Sequence, residues 1–220
     1  MASKLTHVYL MPGMAASPTI FEYIKLPEDK YKIHWLEWQI PGSDETLEEY
    51  AKRMCNFITE DNIVLLGVSF GGILVQEMSK FLNIKKLFVV SSIKSRHELP
   101  KRFKLLKITK AYKILPTQLV GNVDFLAKYA FGETIKKRVD LYKKYLSVND
   151  KVYLDWSIKQ VLCWSQDEPN PNAIYINGDN DSVFPHSCVG ECIVIKGGTH
   201  IMIINKYKWF NENLPKLIES

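Results

Sequence analysis

The run from Asn62 to Val68 is apolar almost throughout and turns directly into Gly67-Val68-Ser69-Phe70-Gly71-Gly72. A strand without polar alternation is one buried on both faces, which requires a sheet with helices packed on either side. A helical pattern from Gly72 to Phe81 follows, so Ser69 stands where a buried strand hands over to a helix. A tight turn at that point strains the serine backbone and points its hydroxyl out of the sheet. Glycines two positions before and after it let neighbouring backbone approach closely. The helix N-terminus adds positive potential beside any anion formed there. A glycine-rich helix start with an incidental serine would contain the same residues.

The rest of the chain repeats this alternation of short β-rich runs and longer helical patterns. Strands are expected at Leu5 to Met11, Lys32 to Trp38, Lys86 to Ser91, Ala173 to Asn177 and Glu191 to Ile195. Helices are expected from the Ser43–Glu45 caps to about Ile58, from Asp150 to Trp164, and at the C-terminus. In the second of these, Trp156, Ile158, Val161 and Leu162 are apolar positions. This is the pattern of an α/β fold, a doubly wound and mostly parallel sheet. At 220 residues the chain has the length of one domain, or of one carrying a lid. A helical stretch interrupted by Pro100 and Pro116 breaks the alternation, so a single domain over 1–220 with a helical cap at about 93–151 is expected.

A serine nucleophile needs a base, and the base needs a carboxylate to orient it. Two loops after expected strand ends offer them: Gly178-Asp179-Asn180-Asp181 and Gly197-Gly198-Thr199-His200. Both stand where the sites of open α/β sheets collect. Asp179 directly follows a glycine, which suits a turn or cap. Asp181 lies further into its loop and is favoured as the acid. Among the five histidines, His7 and His34 fall within expected strands, His97 precedes the carboxylate and His186 shares its loop. His200 alone has the order Ser, acid, His. An oxyanion hole takes backbone N–H donors. Phe70 supplies one, and Met14, after Pro12-Gly13, is the natural second; a plain Pro-Gly turn would use the same residues.

Charge divides the chain. Residues 93–151 hold 15 Lys+Arg against 5 Asp+Glu, while the whole chain has a net charge of +5. No nucleic-acid signature accompanies the excess. Lys101, Lys104, Lys107, Lys110 and Lys113 recur every third residue, with Leu105, Ile108, Tyr112 and Leu115 at the spacing of an apolar helix face. That reads as a cap helix with one face on the body and lysines in water. Two other readings are attraction of an anionic acyl substrate and weak association with an anionic membrane surface. Cys55 and Cys163 read as core residues, and Cys188 and Cys192 have no partner pair at zinc-like spacing, so all four cysteines are expected to be structural. No metal and no organic cofactor is expected. The apolar runs are too short for a spanning helix or a signal-peptide core, which suggests a cytoplasmic protein.

With these residues in hand, the chain resembles the α/β-hydrolase superfamily from end to end. The resemblance rests on Leu10-Met11-Pro12-Gly13-Met14, Gly67-Val68-Ser69-Phe70-Gly71-Gly72, Gly178-Asp179-Asn180-Asp181 and Gly197-Gly198-Thr199-His200. The stretch from Val89 to Pro100 is similar to small bacterial members of mostly unassigned substrate. The resemblance implies Ser69 as nucleophile and Asp181 as acid. Met11-Pro12-Gly13 departs from the His-Gly common before the oxyanion donor, which keeps the backbone donor and loses any role of that histidine. The implied activity is hydrolysis of a small or medium acyl ester or thioester. The same triad used for C–C cleavage or a lyase step, and a non-catalytic ligand-binding member, are the alternatives.

Overall fold

A computed structural model describes residues 5–110, 144–185 and 192–220. Strands β1 (Thr6–Met11), β2 (Tyr31–Trp35), β3 (Ile63–Val68), β4 (Ile84–Val90), β5 (Ala173–Gly178) and β6 (Ile193–Ile195) form one six-stranded sheet in the order β2-β1-β3-β4-β5-β6. Every neighbouring pair is parallel. The order reverses between β1 and β3, so β2 closes one edge and β6 the other.

Side-chain alternation explains why both faces must be covered. Tyr9, Met11, Leu65, Leu87, Val89 and Tyr175 face one core; Val8, Leu10, Val64, Leu66, Phe88, Val90 and Ile176 face the other. Helices α1 (Leu47–Cys55), α2 (Phe70–Met78) and α4 (Lys151–Cys163) cover the first face. Helices α5 (Met202–Asn205) and α6 (Tyr207–Glu219), with a 3₁₀ turn at Pro18–Phe21, cover the second. Full burial of each aliphatic side chain contributes roughly 1.5–3 kcal/mol, and Leu10, Leu65 and Leu66 are at most 1% exposed.

Several expected boundaries shift for identifiable reasons. The first long helix begins at Leu47, because Thr46 and Glu49 form a reciprocal capping box, while Glu45 pairs with Arg53. β2 stops at Trp35, and Trp38 leaves the sheet to pack against α2. α2 starts at Phe70, leaving no residue between Ser69 and the helix. Within the expected cap, the described residues include α3 (Lys101–Thr109) and a 3₁₀ turn at Arg96–Glu98; Tyr112, Lys113, Leu115 and Pro116 lie outside them.

The expected apolar face of α3 is not the packed one. Leu105 is 61% and Ile108 77% exposed, whereas Phe103 is buried. Arg102 donates to the carbonyls of Ser182 and Val183, and Phe103 packs against Phe184, which sets the rotation of the helix. Cys163 is also a correction. It is exposed in the last turn of α4, flanked by buried Leu162 and Trp164, so the helix turns it to solvent. Cys55 and Cys192 are half-buried, and burial pushes the Cys55 thiol up to about 11. Cys188 lies outside the described residues.

Candidate active site

Ser69, Asp181 and His200 each follow the carboxyl end of a strand: β3, β5 and β6. Ser69 has φ 55° and ψ −120°, a conformation that costs an L residue about 1–3 kcal/mol. Several contacts hold it there. Its N–H donates to Val90 O at 2.8 Å, and Ser92 Oγ donates to its carbonyl at 2.7 Å. A Cβ on Gly67 would overlap the Gly71 carbonyl, and one on Gly71 would overlap the Pro12 carbonyl. Only glycine lets strand, helix and the loop after β1 meet at this turn.

The acid and base arrive together because their loops touch backbone to backbone. A Cβ on Gly178 would overlap the Gly198 carbonyl, and Asn180 N–H donates to that carbonyl at 2.9 Å. Asp179 accepts Gly197 N–H at 2.6 Å and stays exposed, so it ties the two loops together. Gly197 needs that tie at φ +64°, where glycine is favoured.

Asp181 is buried and accepts from Val183 N–H at 2.8 Å and Phe184 N–H at 3.0 Å. Its Oδ2 receives His200 Nδ1 at 2.9 Å, and Oδ1 lies 3.1 Å from the same nitrogen. An ionised carboxylate can only accept, so Nδ1 carries the imidazole proton and Nε2 is left as acceptor. Ser69 Oγ lies 2.9 Å from Nε2 and donates to it. Phe184 meets the imidazole edge-on at 5.7 Å, with Phe103 of α3 behind it. The arrangement can move a proton off Ser69 while holding the resulting imidazolium beside a carboxylate.

The remaining histidines are engaged elsewhere or lie outside the description. His7 Nδ1 and His34 Nε2 are 2.9 Å apart at the β1–β2 edge, and His97 is largely exposed and meets Asp167 at 3.0 Å. His186 lies outside the described residues.

The loop from Pro12 to Ser17 passes over Ser69. Gly13 lies so near that a Cβ there would sit 3.4 Å from Ser69 Cβ and 4.0 Å from its Oγ. The N–H groups of Met14 and Phe70 have no hydrogen-bond partner among the described residues. The groups gripping this loop escaped sequence reasoning. Trp38 Nε1 donates to Gly13 O at 2.9 Å, and Ala15 N–H, at φ 62°, donates to Tyr153 Oη at 3.4 Å. Burial pushes the Tyr153 phenol well above its ordinary range, so it stays protonated. An aromatic just beyond β2 and another in α4 look like core residues in sequence, and nothing in their spacing ties them to the loop.

Among the described residues, no group of three His, Cys, Asp or Glu side chains could hold a metal ion, and no helix is long and apolar enough to cross a membrane.

No family model matches the chain, and no curated protein matches it in sequence. Solved structures match it over nearly its whole length. A hydrolase from Pseudomonas aeruginosa PA01 is similar at TM-score 0.72 and 12% identity, covering 100% of this chain and 92% of that one. A lipase-esterase related protein from Clostridium acetobutylicum ATCC 824 gives 0.70 at 17% identity, covering 98% and 96%. The enol-lactonase from Burkholderia xenovorans LB400 gives 0.71 at 9% identity, covering 99% and 93%. The chain therefore has the α/β-hydrolase fold. At these identities the likeness concerns the fold alone.

Proposed function

We propose that this chain is a serine hydrolase that cleaves a small or medium acyl ester or thioester through an acyl-enzyme. One observation carries the reading: the unbroken run of hydrogen bonds from Ser69 Oγ through His200 to buried Asp181, at a serine held in a strained turn. A strained backbone kept by surrounding contacts is more economically explained by chemistry than by packing. The names of the similar structures, which include a lipase-esterase related protein and a lactonase, agree with acyl-transfer chemistry.

In the reaction, His200 Nε2 takes the Ser69 proton as Oγ attacks the acyl carbonyl. The carbonyl π electrons move to oxygen, where the Met14 and Phe70 N–H groups receive the negative charge. The oxyanion collapses, the bond to the alcohol or thiol breaks, and the imidazolium returns its proton to that leaving group. Water then repeats the attack on the acyl-enzyme with His200 as base, and Ser69 is regenerated. Asp181 keeps the imidazole in the tautomer this cycle needs.

A fluorophosphonate tests the activation of Ser69 without a known substrate. Covalent labelling should occur, peptide mass spectrometry should place it on Ser69, and Ser69→Ala should remove it. A folded chain that does not label would overturn the reading in favour of a non-catalytic binding protein.

Within the expected cap at 93–151, the described helix α3 stands two aromatic rings away from His200. Its lysines are proposed to favour an anionic acyl substrate such as an acyl-CoA. Lys104 is tied to His97 O at 2.7 Å, so Lys101 and Lys107, both exposed, are the residues to change. Lys101→Glu with Lys107→Glu should raise KM for an acyl-CoA roughly threefold or more and leave a neutral ester of the same acyl chain unchanged. High salt should erase the difference, since exposed charges are screened over about 10 Å at 0.1 M.

A further inference from the structure

Trp38 lies three residues past the end of β2 and is 8% exposed. Its backbone is fixed from the next residue. Gln39 N–H donates to Tyr50 Oη at 2.9 Å, and that hydroxyl donates back to Gln39 O at 2.9 Å. The indole then makes two contacts that no ordinary core residue needs to combine. Its ring stacks on Phe70 at 4.9 Å and 6° between planes, and its Nε1–H donates to Gly13 O at 2.9 Å.

Gly13 O belongs to the same peptide unit as Met14 N–H. In a trans peptide the C=O and N–H point in opposite directions, and no cis bond occurs among the described residues. Fixing the carbonyl therefore fixes the opposite end. The carbonyl is held by Trp38 Nε1–H and by Ala16 N–H at 3.1 Å, while Met14 N–H has no partner among the described residues. Donation into a peptide oxygen also polarises that peptide and makes its N–H a better donor, as in any hydrogen-bonded chain. The Phe70 ring under the indole belongs to the residue carrying the other unpartnered N–H.

We propose that Trp38 is a positioning residue of the oxyanion hole, aiming and polarising the Gly13–Met14 peptide while bracing Phe70. This rests on the serine-hydrolase reading above and deepens it. A buried indole must find an acceptor somewhere. Here the acceptor is a peptide beside Ser69 whose far end, Met14 N–H, has no hydrogen-bond partner among the described residues. Trp38 makes no hydrogen bond to Ser69, His200 or Asp181, so its effect should fall on the charge that develops at the acyl oxygen.

Trp38→Phe keeps an aromatic ring over Phe70 and removes the N–H. With p-nitrophenyl butyrate, kcat should fall roughly ten- to thirtyfold with KM within about twofold, less than the 10²–10³ lost when an oxyanion donor is itself deleted. A trifluoromethyl ketone, which Ser69 converts to a tetrahedral oxyanion adduct, should bind weaker by the same factor as kcat/KM falls. The corresponding secondary alcohol, which forms no adduct, should bind as before. The pH–rate profile should not move, because His200 and Asp181 are untouched. Equal weakening of ketone and alcohol would assign Trp38 to pocket shape alone and overturn the proposal, as would an unchanged kcat in a folded variant. If Trp38→Phe does not fold, benzothienylalanine placed at position 38 keeps the outline of the ring, replaces N–H by sulfur and decides the same question. A wild-type chain that neither labels with fluorophosphonate nor binds the ketone removes the hydrolase reading and the Trp38 role with it. A wild type that does both, beside an unaltered variant, removes the Trp38 role alone.

Discussion

Ser69→Ala is expected to lower ester turnover by about 10³-fold or more, and His200→Ala by a similar factor. Ser69 Oγ is the atom that would bond to the acyl carbon, and His200 Nε2, 2.9 Å away, is positioned to take its proton. Without the imidazole the hydroxyl stays a weak nucleophile, and without the hydroxyl the imidazole has nothing to activate but water. In the proposed reaction the two groups perform one step, so the Ser69→Ala/His200→Ala double variant should be little slower than either single one. The residual rate should come from substrate binding and the backbone donors, which neither change removes. Initial rates on a p-nitrophenyl ester, with circular dichroism to confirm folding, check this. Losses that multiply in the double variant would mean that Ser69 and His200 act separately.

Much of this site was legible in sequence because each part carries a local physical constraint. Ser69 is flanked by glycines at positions where a side chain would strike backbone, and the unbroken apolar run before it belongs to a strand covered on both faces. Asp181 and His200 follow short strands through loops whose glycines meet. What sequence could not show was contact made through shape. Trp38 closes the run expected as a strand, so it reads as a strand residue, yet the chain turns away after Trp35 and its indole finds Gly13. The rotation of α3 was hidden for a related reason. Its apolar residues permit more than one face, and the choice falls to Arg102 and Phe103 meeting the loop of Asp181, partners about 80 residues distant. Periodicity reports what a helix can bury, and the tertiary partner decides what it does bury.

Asp181→Asn is expected to cost about 10⁴-fold in turnover with the fold intact. The reason lies in how its two oxygens are used. Oδ1 accepts the N–H groups of Val183 and Phe184, and Oδ2 receives His200 Nδ1–H. An asparagine can keep its single oxygen on the two loop N–H groups, which preserves the loop but turns its NH₂ toward Nδ1. Two donors cannot share that contact, so the imidazole takes the other tautomer, with Nδ1 accepting and Nε2 protonated. A protonated Nε2 cannot remove the Ser69 proton, and fluorophosphonate labelling should slow with turnover. Asp179→Asn is the matched control. Its oxygen can still receive Gly197 N–H, which Asp179 Oδ1 now holds at 2.6 Å, and it makes no contact with His200. Turnover in that variant should stay within about twofold of wild type, since a surface hydrogen bond preserved in kind changes little. Measuring kcat/KM and thermal stability for both variants separates the roles. A ranking in which Asp179→Asn is the crippled enzyme would move the orienting carboxylate to Asp179 and require His200 to swing toward the loop surface.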